Sequence, residues 1–315
     1  ISGVTDYKCK DDKDAINLIR DLISLLKKNE NAGISRIKPV SPKSNIEDIY
    51  GHFPKKRNEP YEIKKIIEGL VDDSFFREYK STYGKTIVCG YARIDGWAIG
   101  IVANQRKIVK NSKGEMQLGG VIYSDSADKA ARFIMNCNQK GIPILFLQDV
   151  NGFMVGSKAE HNGIIKDGAK MVNAMANSVV PKFTVIIGNS FGAGNYAMCG
   201  KAYDPDLILA WPTAKIAVMG GEQAATVLAK LEEKKYKKDG KSLTKEIEEK
   251  IYKEVNDNYE SQMSPYYAAS RLWVDEIIDP GETRLYISKG IEISNKRKID
   301  TFKTGVIQTW FNYKK

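Results

Sequence analysis

The chain has 315 residues, 42% apolar and 28% charged, so it can bury one large core or two modest ones and is neither disordered nor fibrous. Its 49 Lys and Arg against 39 Asp and Glu give a net charge of +10, which favours an anionic partner such as nucleic acid, a membrane or a phosphate-bearing small molecule. Residues 289–315 carry seven basic residues against Glu292 and Asp300, so half of the excess lies there. This distribution argues against a single basic groove.

The sequence contains neither a membrane-spanning pattern nor a cysteine framework. No apolar run approaches the roughly 18 residues of a spanning helix. The four cysteines are Cys9, Cys89, Cys137 and Cys199. They lie far apart and form no Cys-x-x-Cys pair, which argues against a zinc ribbon and against disulfides. We therefore expect a protein of reducing surroundings with no membrane partner.

The first 60 residues are predicted to stand apart from the rest. Residues 14–28 place apolar side chains at helical spacing, which predicts an amphipathic helix. Residues 28–60 are rich in Asn, Lys, Ser and Pro, a composition typical of a surface linker. We therefore place a domain boundary near residue 60.

Beyond this boundary the sequence alternates between strands and helices. The predicted strands cover residues 87–92, 97–103, 142–148, 183–187, 207–210 and 216–219. The predicted helices cover residues 126–139, 163–178, 195–199 and 222–235. Asp95-Gly96 predicts a hairpin between the first two strands. Short, almost wholly apolar strands between helices predict an α/β body whose sheet is buried on both faces. The charged stretch 234–260 is predicted to be a solvated helical insertion.

Three predicted strand-to-helix turns are rich in glycine, at residues 152–156, 192–194 and 220–221. In an open α/β sheet, ligands bind at the carboxyl ends of the strands, where such turns lie. Glycines let the backbone turn tightly and leave N–H groups free at a helix N-terminus, where they stabilise a developing oxyanion. The alternative is that these glycines serve only the packing of helices on strands.

The middle turn also matches a dinucleotide fingerprint, G-x-G-x-x-A, which begins at Gly192. A dinucleotide site needs an acidic residue about 20 positions further on to hold the ribose. Residues 210–215 read Ala-Trp-Pro-Thr-Ala-Lys instead, so this class of site is disfavoured. Two Gly-Lys-Thr/Ser triplets resemble the end of a P-loop, but Tyr79 and Lys235 stand where its first glycine is required.

The side chains offer few catalytic groups. Only two histidines are present, His52 and His161, which leaves few candidates for a catalytic triad or a His-based metal site. The chemistry must therefore rest largely on backbone donors and on a substrate or cofactor that carries its own base.

Five stretches of the sequence carry a specific resemblance. They are GVIYSDSADKAARFI from Gly120, FLQDVNGFMVGSKAEHNGIIKDGAKMV from Phe146, IIGNSFGAGNYAMCGKAYDP from Ile186, AWPTAKIAVMGGEQAA from Ala210 and PYYAASRLWVDEIIDPGETR from Pro265. Together they resemble the C-terminal half of the carboxyltransferase (β) subunit of biotin-dependent acyl-CoA carboxylases. GAGNYAMCG and VMGGEQAA resemble the methylcrotonoyl-CoA carboxylase branch more than the propionyl-CoA or acetyl-CoA branch.

The resemblance implies a crotonase-like α/β fold, a superhelix of stacked β-β-α units, with two such domains per subunit and a hexameric assembly. In that family carboxybiotin is tethered to a carrier on the biotin carboxylase (α) subunit and enters an active site at a dimer interface. There carboxybiotin releases CO2, the biotin enolate takes a proton from the acyl-CoA, and the acyl-CoA enolate captures the CO2; no metal, nucleic acid or membrane takes part. Two oxyanion holes serve the two carbonyl groups.

The resemblance also assigns residues by position. The backbone N–H groups of Ala193 and Gly194 match the hole that holds the biotin ureido oxygen. Tyr196 falls where the family sets its acyl preference, and Phe191 and Phe153 are the expected pocket walls. The predicted biotin and acyl pocket further includes Gly152, Gly156, Gly192, Gly220 and Gly221.

The sequence departs from the family because most of the N-terminal domain, which supplies the thioester oxyanion hole, is missing. Residues 1–60 are expected to be a remnant of that domain plus a linker, and residues 61–315 the C-terminal domain with its insertion. We expect a C-terminal fragment with little activity alone, or a chain completed by a separately encoded partner. The expected location is the cytoplasm, or the mitochondrial matrix in a eukaryote.

Two other functions are compatible with the residues. One is a biotin-dependent acyl-CoA decarboxylase, which would use the same oxyanion holes with a membrane partner. The other is a basic crotonase-like module for RNA, suggested by the charge of residues 296–298 and 314–315. Aromatic side chains lie nearby in the sequence, but no known stacking-plus-basic module motif is present.

Overall fold

The computed structural model describes residues 9–24, 32–45, 47–54, 59–238 and 244–299. The helices are α1 (Asp12–Ser24), α2 (Glu47–His52), α3 (Ile63–Leu70), α4 (Ser124–Lys140), α5 (Ser157–His161), α6 (Ile164–Ala176), α7 (Gly192–Ala197), α8 (Gly221–Lys238), α9 (Lys245–Gln262), α10 (Pro265–Ala269) and α11 (Thr283–Ser294). The strands are β1 (Arg77–Tyr79), β2 (Ile87–Ile94), β3 (Trp97–Asn104), β4 (Val109–Lys110), β5 (Met116–Gln117), β6 (Val121–Ile122), β7 (Ile144–Val150), β8 (Gly152–Phe153), β9 (Lys182–Phe191), β10 (Leu207–Ala210), β11 (Lys215–Ala217) and β12 (Glu276–Ile277).

One large sheet organises the molecule, with strand order β1-β2-β3-β7-β9-β10-β12 and β11 paired to the end of β9. The pairs β1–β2 and β2–β3 are antiparallel, and the strands from β3 to β12 pair in parallel. Helices α4 and α6 pack together against one face, whose core holds Phe133 and Met171. Helices α3 and α11 cover the other face, whose core holds Ile67 and Ile287. The predicted α/β body is therefore confirmed.

Strand β7 shows why its sequence is almost wholly apolar. Leu145 and Leu147 belong to the core on the α3 side, whereas Ile144 and Phe146 belong to the core on the α4 side. Because successive side chains point to opposite faces, a strand buried on both sides needs an apolar residue at every position. The expectation that the sheet is covered on both faces is confirmed.

The predicted hairpin joins β2 and β3 through Asp95 and Gly96, which both have positive φ, at 52° and 77°. Such a turn suits the right-handed twist of the two strands. The buried Asp72 carboxylate accepts both N–H groups of this turn at 2.8 Å and pairs with Arg284 Nη2 at 2.6 Å. The hairpin is thereby fixed to helix α11.

The segment predicted as a surface linker contributes to the core, and in this respect the prediction is wrong. Helix α2 lies within it, and Ile49 of that helix is fully buried. The side chain packs on α3, where a Cβ at Gly69 would lie 2.8 Å from Ile49 Cγ1. Ile34 is 6% exposed and joins the same core. Ile34 and Ile49 are isolated apolar residues in a mainly polar segment, so the composition of the segment does not indicate their burial.

Replacing Ile49 by alanine is expected to lower the free energy of unfolding by about 2–5 kcal/mol, because the change leaves a cavity against α3. Chemical denaturation followed by circular dichroism measures this loss. Ile37→Ala in the same segment is the matched control, since Ile37 is 53% exposed and its removal opens no cavity. Equal, small effects of both substitutions would contradict the assignment of this segment to the core.

The predicted helix 222–235 is α8, and the predicted insertion 234–260 holds most of α9, which lies against α8. A Cβ at Gly221, where α8 begins, would lie 2.8 Å from Glu260 Oε1 near the end of α9, so the two helices run antiparallel. No residue of α9 is buried among those the structure describes, which agrees with the prediction of a solvated insertion. The end of α9 therefore lies beside the glycine-rich turn at residues 220–221, where α8 begins.

The cysteines are free thiols, as the sequence predicts. Cys89, Cys137 and Cys199 are buried, and burial raises the pKa of Cys199 to about 11 and that of Cys89 to about 12. Over the described ranges, no group of three or more His, Cys, Asp or Glu side chains could hold a metal ion. None of the described helices combines the length and the apolar character needed to cross a membrane.

Candidate active site

The three glycine-rich turns meet at the carboxyl ends of β7, β9 and β11, as the sequence leads us to expect. The first two turns touch, because a Cβ at Gly194 would lie 2.6 Å from Val150 Cγ2 and 3.2 Å from Gly152 Cα. The second and third turns touch where a Cβ at Gly192 would lie 2.8 Å from the carbonyl oxygen of Val218. Positions 192 and 194 therefore accept only glycine, and Gly192 also has a φ of +50°.

Helix α7 begins at Gly192, three residues earlier than predicted. Phe191 precedes it in an extended conformation, and no side chain caps the helix. The N–H groups of Ala193 and Gly194 therefore fall in the first turn, where they have no intrahelical acceptor and add to the positive end of the helix dipole. Ala193 is exposed and Gly194 is buried. Two adjacent backbone donors thus stand at the meeting point of the turns.

An irregularity in the sheet supports this arrangement. Gln148 pairs with Ile186, but Val150 pairs with Ser190, so β9 carries two extra residues between these pairs. Bulges of this kind re-aim side chains and are common beside active sites. The carboxyl group of Asp149 fills the space above Gly188, where a Cβ would lie 2.4 Å from Asp149 Cγ.

Asp149 holds the bulge together. Its carboxylate accepts hydrogen bonds from the Asn189 N–H and the Tyr61 hydroxyl, each at 2.8 Å. Arg106 Nε lies 3.3 Å from Asp149 Oδ2, and the two side chains are only 10% and 6% exposed. Asn189 Nδ2 also donates to Asn151 Oδ1 at 2.8 Å, which joins β9 to the residue that follows β7. The Asp149 carboxylate therefore serves as the acceptor for the Asn189 N–H, which lies where the register shift interrupts the ladder.

A second group of polar side chains links β7 and β9 to α7. Gln148 Nε2 donates to the carbonyl oxygen of Met198 at 2.7 Å, and Ser190 Oγ donates to Gln148 Oε1 at 2.6 Å. Asn195 Nδ2 in turn donates to Ser190 Oγ at 2.6 Å. Gln148 and Ser190 are fully buried. The short helix is therefore attached to the sheet at its middle and at its carboxyl end.

The third turn is held by the insertion. The Met219 N–H donates to the Tyr259 hydroxyl at 3.3 Å, and Lys215 forms an ion pair with Glu260. Both partners lie in the last turn of α9. The insertion is thus solvated along its length but fixes one of the three turns at its base, a contact that its charged sequence does not reveal.

Four of the predicted pocket residues, Gly156, Phe153, Gly192 and Tyr196, line cavities. Gly192 and Tyr196 line one of about 390 Å³, whose aromatic walls include Tyr259, Tyr267 and Trp273. Tyr196 is 51% exposed, and its ring meets that of Tyr203 edge-on.

The other predicted residues lie elsewhere on the same edge of the sheet. Gly156 lines a cavity of about 770 Å³, and Phe153 lines one of about 370 Å³ and packs on Gly168. Phe191 is 8% exposed and its ring lies against the position of Gly220. Phe191 therefore supports the third turn from within, and Phe153 packs on helix α6.

Sequence reasoning missed the side chains that hold the site. Gln148, Asp149, Ser190 and Asn195 are polar, and three of these four are buried, at the ends of apolar strands. The pair Gln148-Asp149, which follows four apolar residues of β7, is a signal that could have found them. Buried polar groups need partners, and at a strand end those partners belong to the neighbouring turns.

The fold and site define a class: a crotonase-like α/β domain that presents backbone N–H donors at the end of a parallel sheet. The chain belongs to the carboxyl transferase domain family, whose sequence model matches residues 1–306. It is 42% identical to the mitochondrial methylcrotonoyl-CoA carboxylase β chain of Dictyostelium discoideum, over 95% of this chain and 48% of that relative. It is 41% identical to a biotin-dependent 3-methylcrotonyl-coenzyme A carboxylase β1 subunit of Mycobacterium tuberculosis, over 98% and 55%.

Solved structures agree with this assignment. The geranyl-CoA carboxylase β subunit of P. aeruginosa superposes with a TM-score of 0.75 at 33% identity, covering 98% of this chain and 56% of that one. A transcarboxylase 12S structure, described as a hexamer with hydrolysed methylmalonyl-coenzyme A bound, gives a TM-score of 0.69 at 32% identity, over 95% and 53%. The chain therefore spans about half the length of the relatives it matches.

Proposed function

We propose that this chain takes part in the transfer of a carboxyl group from carboxybiotin to an acyl-CoA of the methylcrotonoyl type. The observation that carries the proposal is the pair of donors, Ala193 N–H and Gly194 N–H, in the uncapped first turn of α7. Several relatives, at about 40% identity, are methylcrotonoyl-CoA carboxylase β chains, which supports this acyl class.

The residues present fit the ureido group of biotin. A ureido oxygen gains negative charge as its carboxyl group leaves, and a charge of this kind is best stabilised by fixed N–H donors in a site shielded from water. Ala193 is an exposed residue, and the glycine at 194 keeps the neighbouring turn close. When bound, carboxybiotin supplies the carboxyl group to be transferred.

In this proposal the domain's residues position and stabilise, and none of them becomes covalently modified. The donors of α7 hold the ureido oxygen, and Gly152 keeps the first turn against α7. Tyr196 and Gly192, with the cavity they line, face the acyl side of the site, and Gly220 and Gly221 allow the third turn to approach. Gly156, Phe191 and Phe153 stay proposed members of the wider biotin and acyl pocket.

The proposed partners follow from the relatives. We propose a biotin carboxylase and biotin carrier (α) subunit as the source of the carboxyl group, and further copies of the carboxyltransferase component in an oligomer. CoA contacts and a second oxyanion hole would come from outside the described residues. A mitochondrial location in a eukaryote, or a cytoplasmic one otherwise, belongs to the same proposal.

The proposal is tested by following labelled bicarbonate into acyl-CoA in the carboxylase holoenzyme that contains this chain. We expect product from methylcrotonoyl-CoA, and less from propionyl-CoA and acetyl-CoA at equal concentrations. A carrier that becomes carboxylated but passes no label to any of the three thioesters would contradict the proposed function. Preference for propionyl-CoA would retain carboxyl transfer and overturn the acyl class.

A further inference from the structure

A chain of three side-chain hydrogen bonds connects the interior of the sheet to helix α7. It runs from Asn195 to Ser190, from Ser190 to Gln148, and from Gln148 to the carbonyl oxygen of Met198, with distances of 2.6, 2.6 and 2.7 Å. The chain of hydrogen bonds thus begins at Asn195, within helix α7, and ends at Met198, the residue that follows the helix. Ser190 and Asn195 also line the cavity of about 390 Å³ beside Tyr196, so a change of kcat without a change of KM is what distinguishes positioning of α7 from direct contact with the acyl group.

Helix α7 needs external support because it has only six residues. Isolated helices shorter than about 12 residues are marginal in water, so tertiary contacts must define this one. The Gly200 N–H donates to the Asn195 carbonyl oxygen at 2.8 Å, and Asn195 Oδ1 fills the space above Gly200. Asn195 is therefore the point at which the helix, the chain that follows it and Ser190 are joined.

We propose that Gln148, Ser190 and Asn195 are positioning residues, which set the orientation of α7 and hence the direction of the Ala193 and Gly194 N–H groups. The inference rests on the proposed function, in which these two donors stabilise the transition state. Donors that are displaced rather than deleted lose part of their effect, and a misplacement of about 1 Å costs about 100-fold in rate.

The bulge explains why this support is specific. Ser190 directly follows the two extra residues of β9, so the register shift pairs it with Val150, and its hydroxyl donates to Gln148 Oε1, two residues earlier in the same strand as Val150. Gln148 and Ser190 are fully buried, and breaking either hydrogen bond leaves a polar group without water to replace its partner. The helix therefore has one favoured attachment to the sheet.

The test compares two serine-to-alanine substitutions in the assembled carboxylase holoenzyme. Ser190→Ala removes the middle of the chain of hydrogen bonds. Ser178→Ala is the matched control, since Ser178 is also buried and donates to Asn138 Oδ1 at 3.0 Å, but it precedes the amino end of β9, whereas α7 follows the carboxyl end of that strand. For Ser190→Ala we expect kcat to fall about 10-fold to 100-fold with little change in KM, and for Ser178→Ala we expect no change in kcat.

A second measurement needs no cofactor. Amide hydrogen exchange of residues 192–200 is expected to quicken about fivefold in Ser190→Ala, the factor that corresponds to one lost hydrogen bond, and to stay unchanged in Ser178→Ala. If Ser190→Ala does not fold, Asn195→Asp, which removes one donor at a half-buried position, carries the same expectations.

The outcomes separate this inference from the proposed function. Equal kcat and equal exchange for the Ser190 and Ser178 variants, in an enzyme that Ala193→Pro impairs strongly, would overturn the positioning role and leave the oxyanion donors in place. Equal losses of kcat in the two serine variants would also overturn it, because the effect would then be one of general stability. Full activity of Ala193→Pro would overturn the proposed function itself.

Discussion

Replacing Ala193 by proline is expected to slow carboxyl transfer about 100-fold to 1000-fold, the loss measured when one oxyanion donor is removed. Proline lacks the N–H, and the first turn of a helix tolerates its ring because no intrahelical hydrogen bond is lost there. Ala193 is exposed, so the substitution displaces no packed side chain. Initial rates in the holoenzyme, with carrier carboxylation measured separately, report the effect.

Ala193→Gly is the matched control for this change. It keeps the N–H and removes a single methyl group, so we expect activity near that of the unaltered protein. Proline at Gly194 would be a poorer test, because any Cβ there meets Val150 at 2.6 Å and would force the first two turns apart. A proline variant at Ala193 as active as the glycine variant would show that this N–H does not stabilise the transition state.

Replacing Asp149 by alanine is expected to lower the free energy of unfolding by about 3–5 kcal/mol, as in other proteins in which one partner of a buried ion pair is removed. The change leaves Arg106 buried without this carboxylate and deprives Tyr61 and the Asn189 N–H of an acceptor. Carboxyl transfer should fall as well, because the bulge that presents Ser190 is lost. Denaturant unfolding and holoenzyme rates measure the two effects.

Two further substitutions separate charge from hydrogen bonding at this position. Asp149→Asn keeps an acceptor for the Asn189 N–H and should lose less stability than Asp149→Ala. Glu115→Ala breaks the ion pair with Lys158 on the surface, where salt bridges contribute little, and should leave unfolding unchanged. If Asp149→Ala were as stable as Glu115→Ala, the buried carboxylate would have no structural role.

The body of the fold could be predicted because its signals are local. The sequence predicts β10 at its observed bounds, residues 207–210, and the turn Asp95-Gly96 between β2 and β3. Apolar residues at every position of β7 indicated burial on both faces. Alternating elements of this kind leave few arrangements for a parallel sheet.

The parts that could not be predicted depend on contacts between distant residues. Nothing near Ile49 shows that it packs on α3, and nothing in the charged insertion shows that Tyr259 reaches Met219. The glycine turns predict a candidate site at this edge of the sheet, but the predicted start of α7 lies three residues too late because glycines at 192 and 194 weaken the local helix signal. The register shift beside Asp149 likewise has no signature in β9 alone.

The attachment of α7 to the sheet by residues distant in the chain has a consequence for folding. Gln148 and Ser190, which hold this helix to the sheet through Met198 and Asn195, are 42 residues apart in the chain. Contacts of that separation form later than local ones, because the loop between them must first close. Catalytic competence should therefore be among the last properties acquired during folding. It would depend on the pairing of β7 with β9, and formation of helix α7 with its N–H donors would not be sufficient.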